Sequence, residues 1–582
     1  MWHFLQTYPA RYWRYYLCGI VALLVTNYVG TLIPRKIETA VDLIGSGAGS
    51  SEIVAIVQVI FVLSLVLLVV RTFSRILIFF PGRFVEYDLR NDLFEHLIGL
   101  SSSYFQKQKI GDLMSRLIND IQNLRLMVGF AFLNLGNTFI LFPFAIWQML
   151  QINPALTVYT LLPIPFIMSF ILVVVRYYYR AVLKNQQLLG VLTNQAVETY
   201  GRINTLKCFN AEDSFKELFQ EKNLDYQNIT IDVAWYRSLM FPMLAVIGSI
   251  GNFVLFFVGG PMILEGQLTI GEFTAFGAYI TLLAWPTASL AYMISVYQRG
   301  KVAIERTGAI FSEQPDIEDS SETQADLKMD SAPSFEFRKL NFKFSENDKK
   351  VLSEVSFKVD KGETVGIFGA TGSGKSVFMD LVARKLKVEK GMIFVNGVDI
   401  NHWPVWAYRE GLSMVPQNSF LFSETILENI GYGEVSGDPD SEKVEKLARQ
   451  AEVHEDILAF PDSYQTFTGE KGIVLSGGQK NRIALARALY KKHKVLILDD
   501  VLSAVDHDTE KRMIEQLQSK AMEDVTTFLI AHRVSALSFC DKVVVLEKGR
   551  ISEVGTHQEL ISKPGIYQDT WNYQRLEEAS NA

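Results

Sequence analysis

The sequence predicts a fold in two parts: a membrane α-helical bundle of six transmembrane helices with long cytoplasmic extensions, followed by an α/β phosphate-loop domain. Three observations predict this fold. The first half holds six apolar stretches long enough to cross a bilayer, the charge shifts after residue 310, and strand-like runs alternate with helical runs around a glycine-rich loop. A chain of 582 residues is too long for one core and suffices for two or more domains.

The composition is more apolar than that of a wholly soluble enzyme. Hydrophobic residues make up 49% of the chain, charged residues make up 20%, and the mean hydropathy is +0.15. Residues 1–310 carry 23 Lys and Arg against 19 Asp and Glu, whereas the remaining residues carry 33 against 44. No dense basic stripe suggests a nucleic-acid partner, and the aromatic content of 12% excludes disorder. The three scattered cysteines indicate neither a disulfide framework nor a zinc site.

The six apolar stretches are the predicted membrane spans, because a bilayer core requires about 20 mostly apolar residues per helix. They lie at about 15–34, 53–80, 127–150, 154–175, 240–264 and 273–298. The first stretch follows Arg11 and Arg14 in the manner of a signal peptide. Its length and its lack of an Ala-x-Ala cleavage site favour a true span.

The connections between the spans predict the topology. The turns at 151–153 and 265–267 are short and carry no Lys or Arg, whereas the segments 81–126 and 176–239 are long and basic. The positive-inside rule therefore places the long segments, both termini and the charged second half in the cytoplasm. Helical apolar spacing in the long segments predicts that the spans continue well beyond the membrane.

Arg71 and Arg75 are the exceptions to the apolar pattern of the spans, and they lie one helical turn apart. No Asp or Glu lies inside any of the six stretches, which disfavours a proton- or ion-coupled carrier. The two arginines line an internal polar cavity, or they extend toward the membrane interface. The sequence alone favours the interface.

A polar, acidic segment at 311–333 separates the two halves and indicates a linker between a transmembrane domain at 1–310 and a nucleotide-binding domain at 334–582. After the linker, strand-like runs such as TVGIFGA, KVLILDD and TTFLIAH alternate with helical runs. This alternation predicts an α/β domain with a largely parallel sheet.

The motif GATGSGKS is the strongest chemical signal, and it matches the pattern G-x-x-x-x-G-K-[ST]. A strand-like run precedes it and a helical run follows it, as a phosphate loop requires. Glycines allow backbone N–H groups to surround the phosphates, Lys375 reaches the β and γ oxygens, and Ser376 can hold Mg²⁺. The predicted phosphate-binding residues are Gly369, Ala370, Thr371, Gly372, Ser373, Gly374, Lys375 and Ser376.

The apolar run at 495–498 ends in Asp499 and Asp500. A buried strand that delivers a carboxylate at its carboxyl end places it where the metal of a nucleotide binds. Asp499 is therefore the predicted metal ligand.

Further motifs resemble those of a known family. The sequence LSGGQK at 475–480 resembles the signature motif of ATP-binding-cassette (ABC) ATPases. It falls in order between Gln417 in VPQN and the motifs LILDD, SAVD at 503–506 and AHR with His532. The resemblance covers essentially the whole chain, and six spans followed by one cassette resemble half of an ABC exporter. It implies a helical membrane bundle plus an α/β P-loop ATPase domain of ABC type.

The resemblance also implies ATP and Mg²⁺ as cofactors and gives roles to single residues. Phe344 resembles the aromatic residue that stacks on adenine, Gln417 resembles a ligand of Mg²⁺ that senses the γ-phosphate, and His532 resembles the γ-phosphate switch. The residues that would contact ATP held by the opposite subunit, or lie across the dimer interface, are Ser476, Gly478, Gln479 and Asp506. The tips near 107–112 and 200–207 resemble coupling helices that dock on the cassettes; from spacing alone they could equally be solvent-facing loops.

Asp500 departs from the family pattern, in which the residue after the metal-binding Asp is usually Glu, the general base. An Asp carboxylate is retracted by one C–C bond, about 1.5 Å. A misplacement of about 1 Å can lower a rate on the order of 10²-fold, and a base must stay within hydrogen-bond reach. The sequence therefore predicts slow hydrolysis at the site built on this phosphate loop.

These features predict one subunit of a heterodimeric exporter whose partner, a second ABC half-transporter, carries the Glu. The run LILDDVLSAVD resembles the Asp-bearing subunit of heterodimeric bacterial multidrug ABC exporters. The expected function is ATP-driven export of hydrophobic or amphiphilic small molecules across the cell inner membrane, with lipid around the spans and a cytoplasmic nucleotide-binding domain. A homodimeric lipid flippase and an ATP-gated regulator or channel subunit are the alternatives.

Overall fold

The structure, a computed structural model, describes residues 2–344, 349–433, 438–469, 472, 475–502, 507–518 and 524–581, apart from some side chains within helices. The chain forms two compact units. The first comprises residues 1–98 and 109–313, and the second comprises residues 99–108 and 314–582.

The first unit is helical throughout. The helices up to residue 312 are α1 Trp2–Thr7, α2 Trp13–Gly45, α3 Ser50–Gly99, α4 Ser102–Lys107, α5 Ile110–Ser115, α6 Ile121–Leu126, α7 Phe132–Ile152, α8 Pro154–Leu161, α9 Pro163–Gly201, α10 Ile203–Cys208, α11 Glu212–Val254, α12 Gly260–Leu264 and α13 Ile270–Ser312. Of these, the short helix α4 belongs to the second unit. Three π-helical turns, Arg116–Asp120, Met127–Ala131 and Leu255–Gly259, interrupt this series.

The long helices exceed the thickness of a bilayer. Helix α3 alone has 50 residues and is about 75 Å long, whereas a span needs about 20 residues. Among the described residues, three helical segments are long and apolar enough to cross a membrane: Phe4–Gly45, Ser50–Gly99 and Ile110–Ile152. Two shorter apolar helices are Ser249–Leu264 and Ile270–Ala284. The remaining predicted spans lie in α8 and α9, in α11 and α12, and in α13.

Small residues allow the helices of this unit to approach one another. A Cβ atom on Gly19 would lie 2.5 Å from Ile78 Cγ1, and one on Gly300 would lie 2.8 Å from Met127 Cβ. Without a hydrophobic driving force in lipid, such close packing holds membrane helices together.

An ion-pair network ties the cytoplasmic part of the first unit together. Arg306 of α13 lies 2.5 Å from the Asp112 carboxylate and 3.3 Å from the Asp120 carboxylate, and Arg116 lies 2.7 Å from Asp112. Asp112, which the sequence placed at a tip, therefore connects the start of α5 to α13. The second tip, at 200–207, forms the end of α9 and most of α10.

The segment between the two domains has no helix or strand from residue 313 to 334, but it packs against the second unit. The backbone N–H of Gln324 donates to the His402 carbonyl at 2.8 Å, Glu322 pairs with Lys390 at 2.7 Å, and Leu327 packs on the core. The predicted linker is therefore anchored along much of its length.

The second unit combines two sheets with short helices. Its strands are β1 Phe335–Phe342, β2 Leu352–Val359, β3 Thr364–Phe368, β4 Ile393–Val395, β5 Val398–Asp399, β6 Leu412–Val415, β7 Val495–Asp499, β8 Thr526–Ile530, β9 Lys542–Glu547 and β10 Arg550–Gly555. Its helices beyond α4 are α14 Lys375–Val382, α15 Val405–Glu410, α16 Ile426–Gly431, α17 Ser441–Gln450, α18 His454–Leu458, α19 Gly477–Tyr490, α20 His507–Leu517, α21 His557–Ser562 and α22 Ile566–Asn581.

The larger sheet positions the phosphate loop. Its strand order is β10-β9-β3-β8-β7-β6, and β9, β3, β8, β7 and β6 are parallel. The smaller sheet, β2-β1-β4-β5, is antiparallel. Because parallel strands end at one edge, the loops after β3, β6, β7 and β8 lie together.

Both faces of the larger sheet are buried. Leu496 and Leu498 of β7 face one hydrophobic cluster, and the alternating Val495 and Ile497 face another. Side chains of a strand point alternately to its two faces, so a continuous apolar run is what a doubly covered parallel strand requires.

Replacement of Phe528 tests the second of these clusters. The Phe528 ring is fully buried and lies 5.2 Å from the Phe335 ring, edge to face. We expect Phe528→Ala to lower the free energy of unfolding by about 3–5 kcal/mol, because it removes the ring and leaves a cavity. Thermal denaturation of the detergent-solubilised chain measures the effect, with Trp406→Ala, at a side chain that is 57% exposed, as the control. Equal midpoints for the two variants would contradict this account of the core.

Candidate functional site

The phosphate loop has a backbone that only glycine adopts easily. Gly369 and Gly374 have φ angles of +153° and +100°. A Cβ atom on Gly369 would lie 2.2 Å from the Leu546 carbonyl oxygen, and one on Gly374 would lie 2.8 Å from Leu352 Cδ2. The loop therefore needs glycine at both positions for its conformation and for its packing.

Lys375 begins α14 and is buried beneath the loop. Its Nζ donates to the carbonyl oxygens of Gly369 at 2.6 Å and Ala370 at 3.0 Å. Burial lowers the pKa of Lys375, and the nearby carboxylates of Asp499 and Asp500 oppose that shift. The ammonium group is thus held between the loop and the two acids.

The Ser373 hydroxyl faces the inside of the same loop. It is buried, and no group in the described part of the chain forms a hydrogen bond with it. Thr371, Gly372 and Ser376 lie on the exposed side of the loop.

Asp499 ends β7 and is 5% exposed. Burial raises the pKa of its carboxyl, a hydrogen bond from Ser376 lowers it, and the adjacent Asp500 raises it further. Ser376 and Asp499, which the sequence predicts as metal ligands, are therefore in contact across the β3 and β7 loops.

Asp500, Gln417 and His532 converge beside this pair. Gln417 Nε2 lies 3.5 Å from Asp500 Oδ2, at the outer limit of a hydrogen bond, and His532 Nε2 lies 3.8 Å from the same oxygen. The Asp500 side chain is buried, whereas Gln417 and His532 are largely exposed. The structure thus brings together the three residues that the sequence predicts to be catalytic.

The backbone of Asp500 is left-handed, with a φ angle of +56°. Its N–H donates to the Ile530 carbonyl at 3.0 Å, which fixes the turn after β7. Asp adopts this conformation more readily than most residues with a Cβ. The hydrogen bond to Ile530 therefore anchors the Asp500 backbone at the edge of the sheet.

Phe344 follows β1 and is 55% exposed, with its ring 5.2 Å from that of Phe342 in an edge-to-face arrangement. An exposed ring face is what stacking on a nucleotide base needs. The residues immediately after Phe344, 345–348, are outside the described part.

The signature motif forms the start of α19. Ser476 is its N-cap: its Oγ accepts from the Gln479 N–H at 3.2 Å, and the Ser476 N–H donates to Gln479 Oε1 at 3.0 Å. Ser476 is exposed, Gly478 and Gln479 are half-buried, and the end of the helix is open to an anion. The Ser-x-x-Gln spacing is a capping-box signal that the sequence analysis did not use.

Two further residues support this helix and were not predicted. Asp456 accepts from Gln479 Nε2 at 3.1 Å and pairs with Arg482 at 2.9 Å. Asp456 is distant in sequence and carries no local motif, so only the folded chain shows its role. Asp506 and the SAVD motif at 503–506 lie outside the described residues.

The residues present fit a nucleotide with Mg²⁺. The loop after β3 supplies backbone donors, the buried Lys375 and the unpartnered Ser373 hydroxyl, and Asp499 with Ser376 supplies the hard oxygen ligands that Mg²⁺ prefers. The metal would neutralise developing charge on the phosphates. Asp500, Gln417 and His532 lie together beside this pair of ligands, at the same edge of the sheet.

Comparisons with known proteins agree with this architecture. A family model described as the ABC transporter transmembrane region matches residues 16–287, and one described as ABC transporter matches residues 352–503. A solved bacterial Atm1-family ABC exporter with ATP bound superposes with a TM-score of 0.79 at 24% identity. That match covers 96% of this chain and 98% of the other, and it shows the fold.

Relatives of similar length are found in bacteria. The probable multidrug resistance ABC transporter ATP-binding/permease protein YheI of Bacillus subtilis is 31% identical over 567 residues, covering 97% of this chain and 96% of the relative. The multidrug resistance-like ATP-binding protein MdlA of Escherichia coli is 31% identical over 581 residues, covering 99% and 97%.

The chain belongs to the ABC transporter family. It joins one transmembrane region to one ATPase domain, as half-transporters of this family do, and the predicted fold class is confirmed. The predicted location, a multi-pass membrane protein with a cytoplasmic ATPase domain, is confirmed as well.

Replacement of Gly369 tests the shape of the phosphate loop. We expect Gly369→Ala to weaken binding of trinitrophenyl-ATP by about tenfold or more, because the added Cβ collides with the Leu546 carbonyl. Gly372→Ala is the matched control, since φ is +82° there but no atom lies within 4 Å of the added Cβ. Fluorescence titration of the purified full-length variants measures both. Equal affinities for the two variants would contradict the steric account.

Proposed function

We propose that the chain is one subunit of a heterodimeric ABC exporter, with ATP-driven export of hydrophobic or amphiphilic compounds as its activity. The observation that carries the proposal is the Asp500 carboxylate, buried at the end of β7 and within 3.5–3.8 Å of Gln417 and His532. Around it lie the phosphate loop with Lys375, and Ser376 with Asp499, whereas residues 503–506 are outside the described part of the chain. Only the residue that would activate water is too short.

The short side chain of Asp500 limits the hydrolysis of ATP more than it limits the binding of ATP. Phosphate contacts come from the loop and Lys375, and metal contacts come from Ser376 and Asp499, so none of them depends on Asp500. A general base must reach the attacking water to within hydrogen-bond distance, and a retraction of about 1.5 Å removes that reach. The site on this phosphate loop therefore binds ATP and hydrolyses it slowly.

Helix α19, which begins with the signature motif, is the part of this chain that would contribute to a second ATP site, on the phosphate loop of the partner subunit. Ser476, Gly478 and Gln479 are presented at the open end of α19 and would contact ATP held by a partner subunit. A partner with Glu after its metal-binding Asp then completes one competent site. The named functions of YheI and MdlA, in multidrug resistance, support drug-like export as the activity of the pair.

Asp500→Glu is the direct test of the impaired site. We expect the purified chain to hydrolyse ATP slowly and Asp500→Glu to raise the rate by about 10- to 100-fold, because the longer side chain restores reach to the water. Asp500→Asn should stay slow, with trinitrophenyl-ATP binding unchanged in both variants. Rapid hydrolysis by the unmodified chain in symmetric dimers, unaffected by Asp500→Glu, would show a homodimer instead.

Ser476→Ala tests the contribution of this chain to the partner's site. In the co-purified pair we expect it to lower ATP hydrolysis by about tenfold or more, through loss of a hydrogen bond to a charged phosphate. Lys375→Ala, which affects the slow site, should change the rate much less. In a homodimer the two variants would be equally damaging.

Thr556→Ala is the control for the loss of a helix cap. Thr556 forms the same capping box with Glu559 at the start of α21. Both cap variants should lower stability by about 1 kcal/mol, but only Ser476→Ala should lower hydrolysis. Equal losses of activity would assign the effect to stability.

A further inference from the structure

Arg71 and Arg75 are the only formal charges in the six predicted spans. Both side chains are exposed, and no carboxylate in the described part of the chain pairs with either guanidinium. The sequence within the spans offers no Asp or Glu that could serve as a counter-ion. Two adjacent positive charges therefore have no carboxylate partner among the described residues.

The two arginines lie on the side of α3 that is buried further along the helix, at Ile78, although both are exposed themselves. With about 100° between successive residues, Arg71 lies within about 20° and Arg75 within about 60° of Ile78 around the helix. Ile78 is fully buried, next to Gly19 on one side and Gly129 on the other. The face that is covered at Ile78 thus becomes open one to two turns further along, at Arg75 and Arg71.

Contacts between α2 and α3 give the depth of the pair. Gly19 lies against Ile78 and Gly30 lies against Leu67, so the two antiparallel helices keep one register over eleven residues. In that register Arg71 is level with Thr26 and Arg75 with Ala22. Thr26 lies about 16 Å from the start of the first span at 15 and about 12 Å from its end at 34.

For Arg71 this depth argues against the interface location that the sequence alone favoured. Arg75, five residues or about 8 Å from the end of its own predicted span at 80, lies nearer the edge. An arginine side chain extends at most about 7 Å from its Cα, less than the distance from Arg71 to either edge of the span. Charged residues at such depth face a bundle interior or a water-filled cavity rather than lipid.

Polar side chains on the neighbouring helices lie at the same level. Asn27 of α2 donates through Nδ2 to Asn137 Oδ1 of α7 at 3.1 Å, and Asn27 is 5% exposed. Thr138, also buried, follows Asn137 on α7. These polar groups therefore lie at about the same level along α2 and α7 as Arg71 does along α3.

We propose that Arg71 and Arg75 bind the anionic group of an amphiphilic substrate, a carboxylate, phosphate or sulfonate carried on an apolar chain. Two guanidinium groups one turn apart offer a forked set of donors that suits such oxyanions. The apolar remainder of the spans suits the chain of the same molecule. This inference rests on the proposed export function and narrows its substrate class from hydrophobic compounds in general to amphiphilic anions.

Binding in nucleotide-free nanodiscs tests the inference without any need for ATP turnover. The full-length chain, in phosphatidylcholine, is titrated with dansyl-labelled undecanoate and with a dansyl-labelled undecyl trimethylammonium of equal chain length. We expect about tenfold or tighter binding of the anion. Equal binding of the two probes to the unmodified chain would overturn the proposal, whatever the outcome for hydrolysis.

Variants test whether the two arginines cause the preference for the anionic probe. We expect the double variant Arg71→Gln/Arg75→Gln to lose the preference for the anionic probe. The double variant Arg71→Lys/Arg75→Lys, which keeps both positive charges, should retain part of that preference. Arg83→Gln, at an exposed arginine of α3 paired with Glu86, is the matched control and should leave it unchanged. A preference that survives the double Gln variant would overturn the proposal. Phosphatidylglycerol is itself a phosphate carried on apolar chains, so we expect it to weaken binding of the anionic probe when it replaces part of the phosphatidylcholine, which would identify lipid as a source of the bound anion. Equal weakening in the double Gln variant would overturn the proposal.

Discussion

The parallel pairing of β3, β8, β7 and β6 is the constraint on which the nucleotide site depends. Each strand contributes the loop at its carboxyl end: the phosphate loop after β3, Gln417 after β6, the two acids after β7 and His532 after β8. The register between β7 and β8 places Asp499 beside Ile530, and the Asp500 N–H then bonds the Ile530 carbonyl. A shift of one residue in this pairing would turn the acids to the opposite face of the sheet.

At the nucleotide site, binding of phosphate and activation of water depend on different residues, and only the second depends on Asp500 in the function proposed above. Asp500 lies in a left-handed turn, and its side chain, one methylene shorter than that of Glu, limits how far the carboxylate extends. The binding groups, which come from β3 and α14, are unaffected by that limit. The groups placed to hold phosphates are thus separate from the residue proposed to act on water.

The sequence predicted local motifs well because each has a fixed geometric requirement. The glycines of the phosphate loop, the acid at the end of β7 and the order of Gln417 and His532 follow from strand-loop-helix patterns, and the structure brings all of them to one edge. Contacts between distant segments were not predictable. Asp456 beneath Gln479 and the anchoring of 313–334 against the second unit carry no local pattern. The level of Arg71 along the helices was not predictable either, because it depends on the register of α2 against α3.

The uninterrupted course of α3 has a mechanical consequence. A rod of about 75 Å acts as a lever, and a pivot of about 5° at one end displaces the other by roughly 6 Å. Motions too small to disturb side-chain packing near Gly19 and Ile78 are thereby magnified at the far end. The length of the helix sets how large a movement it can deliver, and Pro81, which removes one backbone hydrogen bond close to Ile78, is a point at which the rod can bend.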